Sequence, residues 1–245
     1  MKTIAVSNFK GGVGKTTTAG HLAYLLSLKN KVCLIDADSQ GNSSQWLLTM
    51  PFNYELADVL SGTATPGEAL QLVKDNFYII PTRGKDGNLR NYGEVKLNEE
   101  PFIFDDLRQA IEGLNFDFLI YDMSPALGRV ERSVLSAADE VITPITPEMF
   151  SISGILTFTH ELNKLKKNLR LNITHEKIIC NNVNLSFKIH KGALEALEGN
   201  DYDVYIIPQD VEIKKAQEIN KTVFEFNTSA KSIKYYEGLA GAYGN

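Results

Sequence analysis

Cysteine and histidine are scarce in this chain, and neither occurs in a spacing typical of a metal site. Two cysteines are present, Cys33 and Cys180, and no Cys-x-x-Cys pair is formed. Each cysteine lies inside an apolar run, which is typical of buried structural thiols. The four histidines are scattered. The sequence therefore argues against a protein that bridges a cluster through cysteines or that holds a metal through Cys and His.

Long apolar runs and an excess of positive charge are also absent. No run is long enough to cross a bilayer, and the chain starts directly at a strand-like run, so we expect a cytoplasmic protein without a signal peptide. The formal net charge of −5 argues against a constitutively basic nucleic-acid-binding protein. Residues 1–159 carry a net charge of −6 and residues 160–245 carry +1. A DNA-binding face would need clustered lysines, which we expect in the second part.

Short apolar runs alternate with helical patterns along the whole chain. This alternation predicts an α/β fold with a doubly wound, mostly parallel sheet of about seven or eight strands flanked by helices. The length and the 43% hydrophobic content fit one domain, residues 1–245. The predicted strands are residues 3–7, 32–36, 77–80, 118–122, 141–144, 177–180 and 204–207. The predicted helices are residues 16–28, 66–74, 104–114, 152–167, 189–197, 213–220 and 230–242. Residues 83–100 contain three glycines and are predicted to form a surface excursion.

A glycine-rich stretch, KGGVGKTT at residues 10–17, joins the first predicted strand to the first predicted helix. Such a turn aims backbone N–H groups and the positive end of the helix dipole at one point, which suits phosphate. Lys15 can reach the β- and γ-phosphates of a nucleotide, and the Thr16 hydroxyl can bind Mg²⁺. The strict phosphate-loop pattern has glycine where this chain has Phe9, and a second lysine, Lys10, opens the loop. The predicted nucleotide-binding residues of the loop are Gly11, Gly12, Val13, Gly14, Lys15, Thr16 and Thr17.

The position of Lys10 and two later stretches resemble the deviant Walker A ATPases of the ParA/MinD family. Residues 32–42, VCLIDADSQGN, resemble the second motif of that family, and residues 118–122, FLIYD, resemble its Walker B strand. All three motifs occur in the family's order at the carboxyl ends of predicted strands, where such sheets bind ligands. The resemblance implies a P-loop NTPase fold, ATP hydrolysis, and ATP and Mg²⁺ as cofactors.

The same resemblance implies roles for single residues near the phosphates. Asp38 would orient the attacking water, and Asp36 would lie in the outer shell of Mg²⁺. Asp122 would hold Mg²⁺ through water. Lys10 would reach the phosphates bound by the facing subunit of an ATP-dependent homodimer, as an arginine finger supplied in trans does. Lys10, Lys15 and Asp38 are thus the predicted catalytic residues.

Further from the phosphates, the resemblance is carried by fewer residues. Residues 144–148, PITPE, followed by Ser151 and Gly154, resemble the stretch that would place Glu148 near the nucleotide of the facing subunit. A solvated loop glutamate is the alternative. The residues that resemble adenine contacts are Asn181, Pro208 and Asp210. For Asn181, ordinary turn chemistry at a strand end is the alternative.

Within this family, the chain most resembles the ParA (Soj-like) partition and positioning ATPases. That resemblance implies an ATP-bound dimer that binds DNA non-specifically on the nucleoid and a slow hydrolysis stimulated by a ParB-like or adaptor protein. The cargo would be a plasmid, a chromosome or a large assembly such as a carboxysome, and the residues do not separate these. A MinD-like membrane-associated ATPase is the alternative, although residues 238–245, GLAGAYGN, lack the cations of a basic amphipathic helix.

Several lysines of the second part are candidates for the DNA-binding face. Lys231 and Lys234 fall where the resemblance places DNA contacts, and their spacing of three puts both on one helical face. Two further clusters are Lys188 with Lys191 and Lys214 with Lys215. Ordinary solvated lysines are the alternative at each position.

Overall fold

The computed structural model describes residues 1–97, 102–148, 151–198 and 201–244, and these contain one eight-stranded sheet. The strand order is β3-β4-β2-β5-β1-β6-β7-β8. The strands are β1 (Lys2–Val6), β2 (Val32–Ala37), β3 (Gln71–Lys74), β4 (Phe77–Ile80), β5 (Phe118–Met123), β6 (Glu140–Ile145), β7 (Thr174–Val183) and β8 (Asp203–Pro208). Every adjacent pair is parallel except β3 with β4. The predicted doubly wound, mostly parallel sheet is confirmed.

Twelve α-helices are found in the part of the chain that the structure describes, and they cover both faces of the sheet. They are α1 (Lys15–Ser27), α2 (Asn42–Leu47), α3 (Leu56–Leu60), α4 (Pro66–Ala69), α5 (Leu89–Val95), α6 (Ile103–Glu112), α7 (Arg129–Ala137), α8 (Ser151–Leu169), α9 (Lys188–Glu198), α10 (Val211–Glu218), α11 (Val223–Phe226) and α12 (Ile233–Gly241). None of the helices described is both long and apolar enough to cross a membrane.

The central strands are apolar on both faces because helices pack on both. In β2, Cys33 and Ile35 face the core beneath α3, α6 and α7, whereas Val32 and Leu34 face the core beneath α1, α2 and α12. Continuous apolar strands of this kind are typical of parallel sheets that are buried on both sides. The predicted motifs lie at the carboxyl ends of β1, β2 and β5.

The prediction of one helix over residues 66–74 was wrong in its second half. Helix α4 ends at Ala69, and Gln71–Lys74 forms β3, antiparallel to β4. A reversal at Asn76, with φ of 60°, joins the two strands. The spacing of Leu70 and Val73 fits a helix locally, but backbone pairing with β4 fixes the segment as an edge strand.

The prediction of a surface excursion for residues 83–100 was also incomplete. Residues 98–100 lie outside the described residues, but the rest contains a 3₁₀ turn, Gly84–Asp86, and helix α5. Leu89 and Tyr92 of α5 are buried, and the Tyr92 hydroxyl donates to the Leu60 carbonyl at 2.9 Å. The few apolar side chains of α5 are enough to pack it on the core, since Leu89 and Tyr92 both belong to the same core cluster.

The first helix is shorter than its apolar pattern suggested. Leu22, Leu25 and Leu26 are buried as expected, but Leu28 is 58% exposed because α1 ends at Ser27. Most of α1 is buried around its circumference, Thr18 and His21 included. The helix that leaves the glycine-rich loop is therefore an interior element, fixed by packing on several sides.

Candidate nucleotide site

The glycine-rich loop follows β1, which lies between β5 and β6 near the centre of the sheet. Gly12 and Gly14 adopt left-handed conformations with φ of 72° and 95°. A Cβ at Gly14 would lie 1.9 Å from the Asn181 side-chain nitrogen, so only glycine fits there. Gly14 is the N-cap of α1 and supplies no side-chain cap. The first N–H groups of α1 are thus open to an anion.

A cavity of about 370 Å³ opens in front of this helix start. Its walls come from the glycine-rich loop, from the segment after β2 and from the turn after β5. The lining residues are Gly11, Gly12, Gly14, Lys15, Thr16, Thr17, Asp38, Gln40, Asn42 and Pro125. The three sequence motifs therefore converge on one cavity at the carboxyl ends of β1, β2 and β5.

Lys15 is held against the backbone of its own loop. Its ammonium donates to the carbonyl oxygens of Asn8 at 3.2 Å and Lys10 at 3.0 Å, and the residue is only 7% exposed. Burial lowers the pKa of Lys15, while the nearby charges of Asp122 and Asp38 act in the opposite direction. The site thus holds a buried cation next to two acidic residues.

Asp36 and Asp122 lie side by side because β2 pairs with β5 in a register that places them opposite each other. Both are completely buried. Burial is the main cause that raises the pKa of Asp36 well above its usual range and the pKa of Asp122 to about 6; the Asp122 charge adds to the shift of Asp36. Two adjacent carboxylates away from water favour either a proton or a cation between them.

Serine hydroxyls from the first turn of α2 contact both carboxylates. The Ser43 hydroxyl donates to Asp122 Oδ2 at 2.6 Å. The Ser44 hydroxyl and its backbone N–H donate to Asp36 Oδ2 at 2.7 and 2.8 Å. These hydrogen bonds partly offset the effect of burial on the two pKa values.

The arrangement around Asp122 fits Mg²⁺. Asp122 Oδ1 is buried without a hydrogen-bond partner among the described residues, and the Thr16 hydroxyl is near enough to lower the pKa of Asp122. The described chain contains no cluster of three or more His, Cys, Asp or Glu side chains that could hold a metal alone. Mg²⁺ commonly takes only one or two protein carboxylates and completes its shell with water and phosphate oxygens. Thr16, Asp36 and Asp122 match that requirement.

Asp38 lies beyond the end of β2, on the wall of the cavity. It is almost completely buried, and its Oδ1 accepts the Gln40 N–H at 2.9 Å. Its backbone N–H approaches Asp36 Oδ1 at 3.4 Å. One carboxylate oxygen is thus fixed by the backbone, and the side chain faces the space next to the glycine-rich loop.

Lys10 lies at the rim and is not among the residues that line the cavity. Its ammonium forms an ion pair with Glu148 at 2.5 Å, and the two side chains are 49% and 55% exposed. The hydrogen bond and the charge of Lys10 lower the pKa of Glu148. The Lys10 N–H donates to Asn8 Oδ1 at 2.9 Å, and Asn8 Nδ2 donates to the Pro144 carbonyl at 2.7 Å. The backbone of Lys10 is therefore anchored, while its side chain remains accessible.

The three residues predicted to contact adenine are placed in different ways. Asn181 contacts the glycine-rich loop, since its Nδ2 donates to the Val13 carbonyl at 3.1 Å. Pro208 ends β8, opposite Val183 of β7. Asp210 caps α10, accepting the Glu212 N–H at 3.1 Å and the Ser232 N–H at 3.0 Å. Contact of these residues with a base stays a prediction.

The predicted DNA-contacting lysines all lie on the surface, outside the cavity. Lys188 and Lys191 are exposed on α9, and Lys214 and Lys215 are exposed on α10. Lys234 is exposed on α12, but Lys231 lies in the turn before that helix, which begins at Ile233, so the prediction that Lys231 and Lys234 share one helical face was wrong. The Lys215 ammonium pairs with Glu212 at 2.8 Å. The Asp210–Ser232 hydrogen bond brings the starts of α10 and α12 together.

The sequence analysis missed several residues that build the site. Ser43 and Ser44 contact the two acidic strand ends, the Thr82 hydroxyl donates to the Asp36 carbonyl at 2.7 Å, and Gln217 Nε2 donates to the Thr17 hydroxyl at 3.1 Å. Only the serines carried a usable signal, since they directly follow the motif at residues 32–42 and lie in the first turn of α2. Thr82 and Gln217 reach the site from distant parts of the chain.

This chain is similar to known proteins along most of its length. A family model described as an AAA domain matches residues 1–175. The uncharacterized protein BBD21 of Borreliella burgdorferi is 38% identical over 244 residues, which is 99% of each chain. The sporulation initiation inhibitor protein Soj of Bacillus subtilis is 26% identical over 254 residues, covering 98% of this chain and 96% of Soj.

A solved structure of a protein described as a plasmid partition protein, from Borrelia burgdorferi B31 and bound to AMPPNP, is similar over nearly the whole chain. The TM-score is 0.84 at 26% identity, and the match covers 99% of this chain and 98% of the other. The similarity therefore includes both the glycine-rich loop and the last helix.

Proposed function

Because this chain belongs to the ParA/MinD-type ATPases, we propose that its ATP-bound dimer binds DNA without sequence preference and segregates or positions a cargo on the nucleoid. The chain is an ATPase, with ATP and Mg²⁺ as its cofactors. Its relatives are partition and positioning ATPases that dimerise and act with partner proteins. We propose in addition that the chain binds DNA, that it moves a cargo, and that single residues have the roles given below.

The observation that carries the proposal is the different placement of the two loop lysines. Lys15 is buried inside the cavity, whereas Lys10 is exposed at its rim and contacts Glu148. A phosphate site gains little from a cation that points away from it. An exposed lysine on an anchored loop is, however, suited to enter the site of a second subunit that docks face to face.

The residues of one subunit can be given distinct tasks. Lys15 and the open N–H groups of α1 bind the β- and γ-phosphates. Mg²⁺, when bound, neutralises phosphate charge, and Thr16, Asp36 and Asp122 are the residues that would hold it. Asp38, fixed through Gln40, orients the attacking water. Lys10 of the facing subunit adds positive charge only when the dimer has formed.

Binding to DNA requires a local excess of positive charge, since the whole chain carries −5. Helix α10 carries Lys214 and Lys215, and Lys231 and Lys234 lie just before and at the start of α12. Asp210, which caps α10, accepts the Ser232 N–H, and this contact brings the two groups of lysines near each other. Two copies of this corner in a dimer would double the number of phosphates that are neutralised. We therefore expect affinity for DNA to depend on ATP and to fall steeply with salt.

The test compares the binding of the protein to DNA with its binding to a membrane surface. Purified chain is mixed with random-sequence duplex DNA and with anionic liposomes, each with ATP and with ADP, and binding is measured by co-sedimentation or anisotropy. ATP-dependent binding to DNA and not to liposomes supports the proposal. Binding to liposomes alone would favour the MinD-like alternative and overturn it.

A double substitution that reverses two charges tests where DNA binds. Changing Lys231 and Lys234 to Glu should weaken DNA binding and flatten its salt dependence, because each phosphate that the protein neutralises contributes about −0.9 to the slope of log affinity against log salt. The matched control changes Lys164 and Lys167 to Glu, two exposed lysines on α8 with the same separation in sequence. Equal effects of both pairs would mean that net charge, and not this face, governs binding.

The cargo and the partner complete the proposal. The plasmid partition protein among the similar structures supports a plasmid as the cargo. The partner that stimulates hydrolysis is proposed to be ParB-like or an adaptor. A rise in ATP turnover on addition of such a partner, and release of bound DNA at the same time, would support this part.

A further inference from the structure

Two neighbouring serines contact two neighbouring carboxylates from two different strands. Ser43 and Ser44 lie in the first turn of α2 and are buried. Each donates its hydroxyl to one acidic residue, Ser43 to Asp122 of β5 and Ser44 to Asp36 of β2. Since the register of β2 and β5 sets the two carboxylates opposite each other, the spacing of the serines matches the spacing of the strands.

The two hydroxyls are fixed in different ways. The Ser44 hydroxyl donates to Asp36 Oδ2 and accepts the Thr82 N–H at 2.8 Å. Because the Thr82 N–H occupies one lone pair of the hydroxyl oxygen, the hydroxyl proton is oriented toward Asp36. Asp36 also keeps the backbone N–H of Ser44 at 2.8 Å. Ser43 contacts Asp122 through Oδ2, at 2.6 Å. Asp122 Oδ1 is buried and makes no hydrogen bond to the described residues, and the Thr16 hydroxyl lies near the same carboxyl group.

The helix that carries the serines is firmly held. Gly41 before it has φ of 67°, and a Cβ there would lie 2.6 Å from the Thr82 carbonyl oxygen. Further along α2, the indole N–H of Trp46 donates to the Lys221 carbonyl at 2.9 Å, and its ring packs on Gly20 of α1. The serines therefore present their hydroxyls from a fixed support.

We propose that Ser43 and Ser44 are positioning residues that decide which oxygen of Asp122 and of Asp36 faces the Mg²⁺–nucleotide. This inference rests on the proposed function, because it assigns Mg²⁺ to the Thr16–Asp122 side of the cavity. Ser43 holds Oδ2 of Asp122 and leaves Oδ1 for the metal's water shell. Ser44 holds Oδ2 of Asp36 through its hydroxyl and its backbone N–H, so that this carboxyl group keeps one orientation beside the like charge of Asp122.

The two serines should differ in importance. Without the Ser43 hydroxyl, Asp122 Oδ2 loses the hydrogen bond that fixes it, and the carboxylate can rotate. Without the Ser44 hydroxyl, Asp36 still accepts the backbone N–H of Ser44. Removing a group that supports a metal-binding side chain commonly lowers metal affinity by about 10- to 100-fold. We expect Ser43→Ala to fall in that range and Ser44→Ala to fall below it.

The experiment measures Mg²⁺ coupling without hydrolysis. The affinity for AMPPNP is determined by calorimetry in MgCl₂ and in EDTA, and the ratio of the two affinities is compared between variants. Ser43→Ala should reduce this ratio by about 10-fold or more while keeping its affinity in EDTA. Ser43→Thr, which keeps a hydroxyl, should restore the ratio to within about 2-fold of wild type, since the hydrogen bond to Asp122 is retained.

The control is Ser27→Ala, which removes another buried hydroxyl that donates to a backbone carbonyl, that of Tyr24, at 2.7 Å. It should leave the ratio unchanged. If Ser43→Ala also leaves the ratio unchanged, or if Ser43→Thr keeps its affinity in EDTA and yet fails to restore the ratio, the positioning role is wrong. A wild-type chain that binds no AMPPNP in MgCl₂ would instead overturn the proposed function, so the two failures are distinguishable.

Discussion

The floor and the rim of the nucleotide site are built in opposite ways. On the floor, Asp36 and Asp122 are completely buried, and each accepts hydrogen bonds from a held helix. At the rim, Lys10 and Glu148 are about half exposed and form an ion pair with each other. Both regions contain charged side chains close to the same loop, but solvent reaches only one of them.

This difference separates what folding fixes from what a second subunit can change. An exposed ion pair contributes only about 0.2–1 kcal/mol, since water competes for both charges. Leaving a buried polar group without its hydrogen-bond partner costs about 1–3 kcal/mol, and more where the group is charged. The floor is therefore set when the chain folds, and the rim can exchange partners at little cost. Four substitutions test the comparison.

The largest expected effect is that of Lys15→Ala. This change removes the buried ammonium that faces the phosphates, and we expect ATP binding to become undetectable in calorimetry. Lys29→Ala, an exposed lysine just beyond the end of α1, is the control and should bind normally. Near-normal affinity in Lys15→Ala would show that the glycine-rich loop does not bind phosphate.

Lys10→Ala should affect the rim alone. The variant should still bind ATP, because Lys10 lies outside the cavity, but its turnover should fall by on the order of 10³-fold, as for a missing arginine finger. Turnover is measured by phosphate release.

Mixing experiments decide whether Lys10 acts across the dimer. Lys10→Ala is combined with a subunit that keeps Lys10 and carries Asp38→Ala. Activity recovered in the mixture supports action in trans. No recovery at any ratio would place Lys10 in the site of its own subunit.

A third test concerns His21, one turn along α1 from Thr17. Its ring is completely buried, its Nε2 accepts the Val223 N–H at 3.1 Å, and its Nδ1 therefore donates to the Thr17 carbonyl at 2.7 Å. Burial lowers the pKa of His21 to about 4, with the Thr17 hydrogen bond acting in the opposite direction. The folded chain thus holds a neutral imidazole.

Because the pKa is lower in the folded state than in the unfolded one, the unfolded chain takes up a proton first. Stability should therefore fall as the pH drops from about 6.5 toward 4, by about 2 kcal/mol between pH 7 and pH 5 for this residue. Urea unfolding of wild type and His21→Gln at both pH values isolates the effect, since other groups titrate alike in both proteins. An equal pH dependence in the two would contradict the buried neutral ring.

The smallest expected effect is that of Glu148→Gln. Removing the charge frees Lys10 from its exposed ion pair, so the ATP concentration for half-maximal dimer formation should fall by up to about 5-fold. Dimerisation is followed by light scattering, with AMPPNP in place of ATP so that hydrolysis does not dissolve the dimer. A rise in that concentration would mean that Glu148 contributes more to the closed dimer than to holding Lys10.

The contrast between floor and rim also explains what could be predicted from the sequence. Lys15, Asp38 and Asp122 lie in short local motifs at strand ends, so their convergence followed from the alternation of strands and helices. The contact between Ser43 and Asp122 depends on the register of β2 against β5, which no local pattern encodes. The same holds for β3, whose local spacing suits a helix and whose pairing with β4 makes it a strand.

At the rim, the sequence indicated which residues matter but not where they lie. Glu148 was predicted to approach the nucleotide of a facing subunit, and in the single chain it contacts Lys10. Asn181 was predicted at the adenine, and it contacts the backbone of the glycine-rich loop. Exposed side chains have several partners of similar energy, so local sequence does not select one of them.

The single tryptophan of the chain has a practical consequence. Trp46 is buried on α2, three residues from Ser43, with its ring 5.1 Å from His21 and its indole N–H on the Lys221 carbonyl. The tryptophan fluorescence of the chain therefore reports on one place, the contact between α2, which carries Ser43 and Ser44, and the segment at Lys221. Any shift of α2 against α1 on nucleotide binding should change the wavelength or the intensity of the tryptophan emission. The chain can thus be followed in solution without a label.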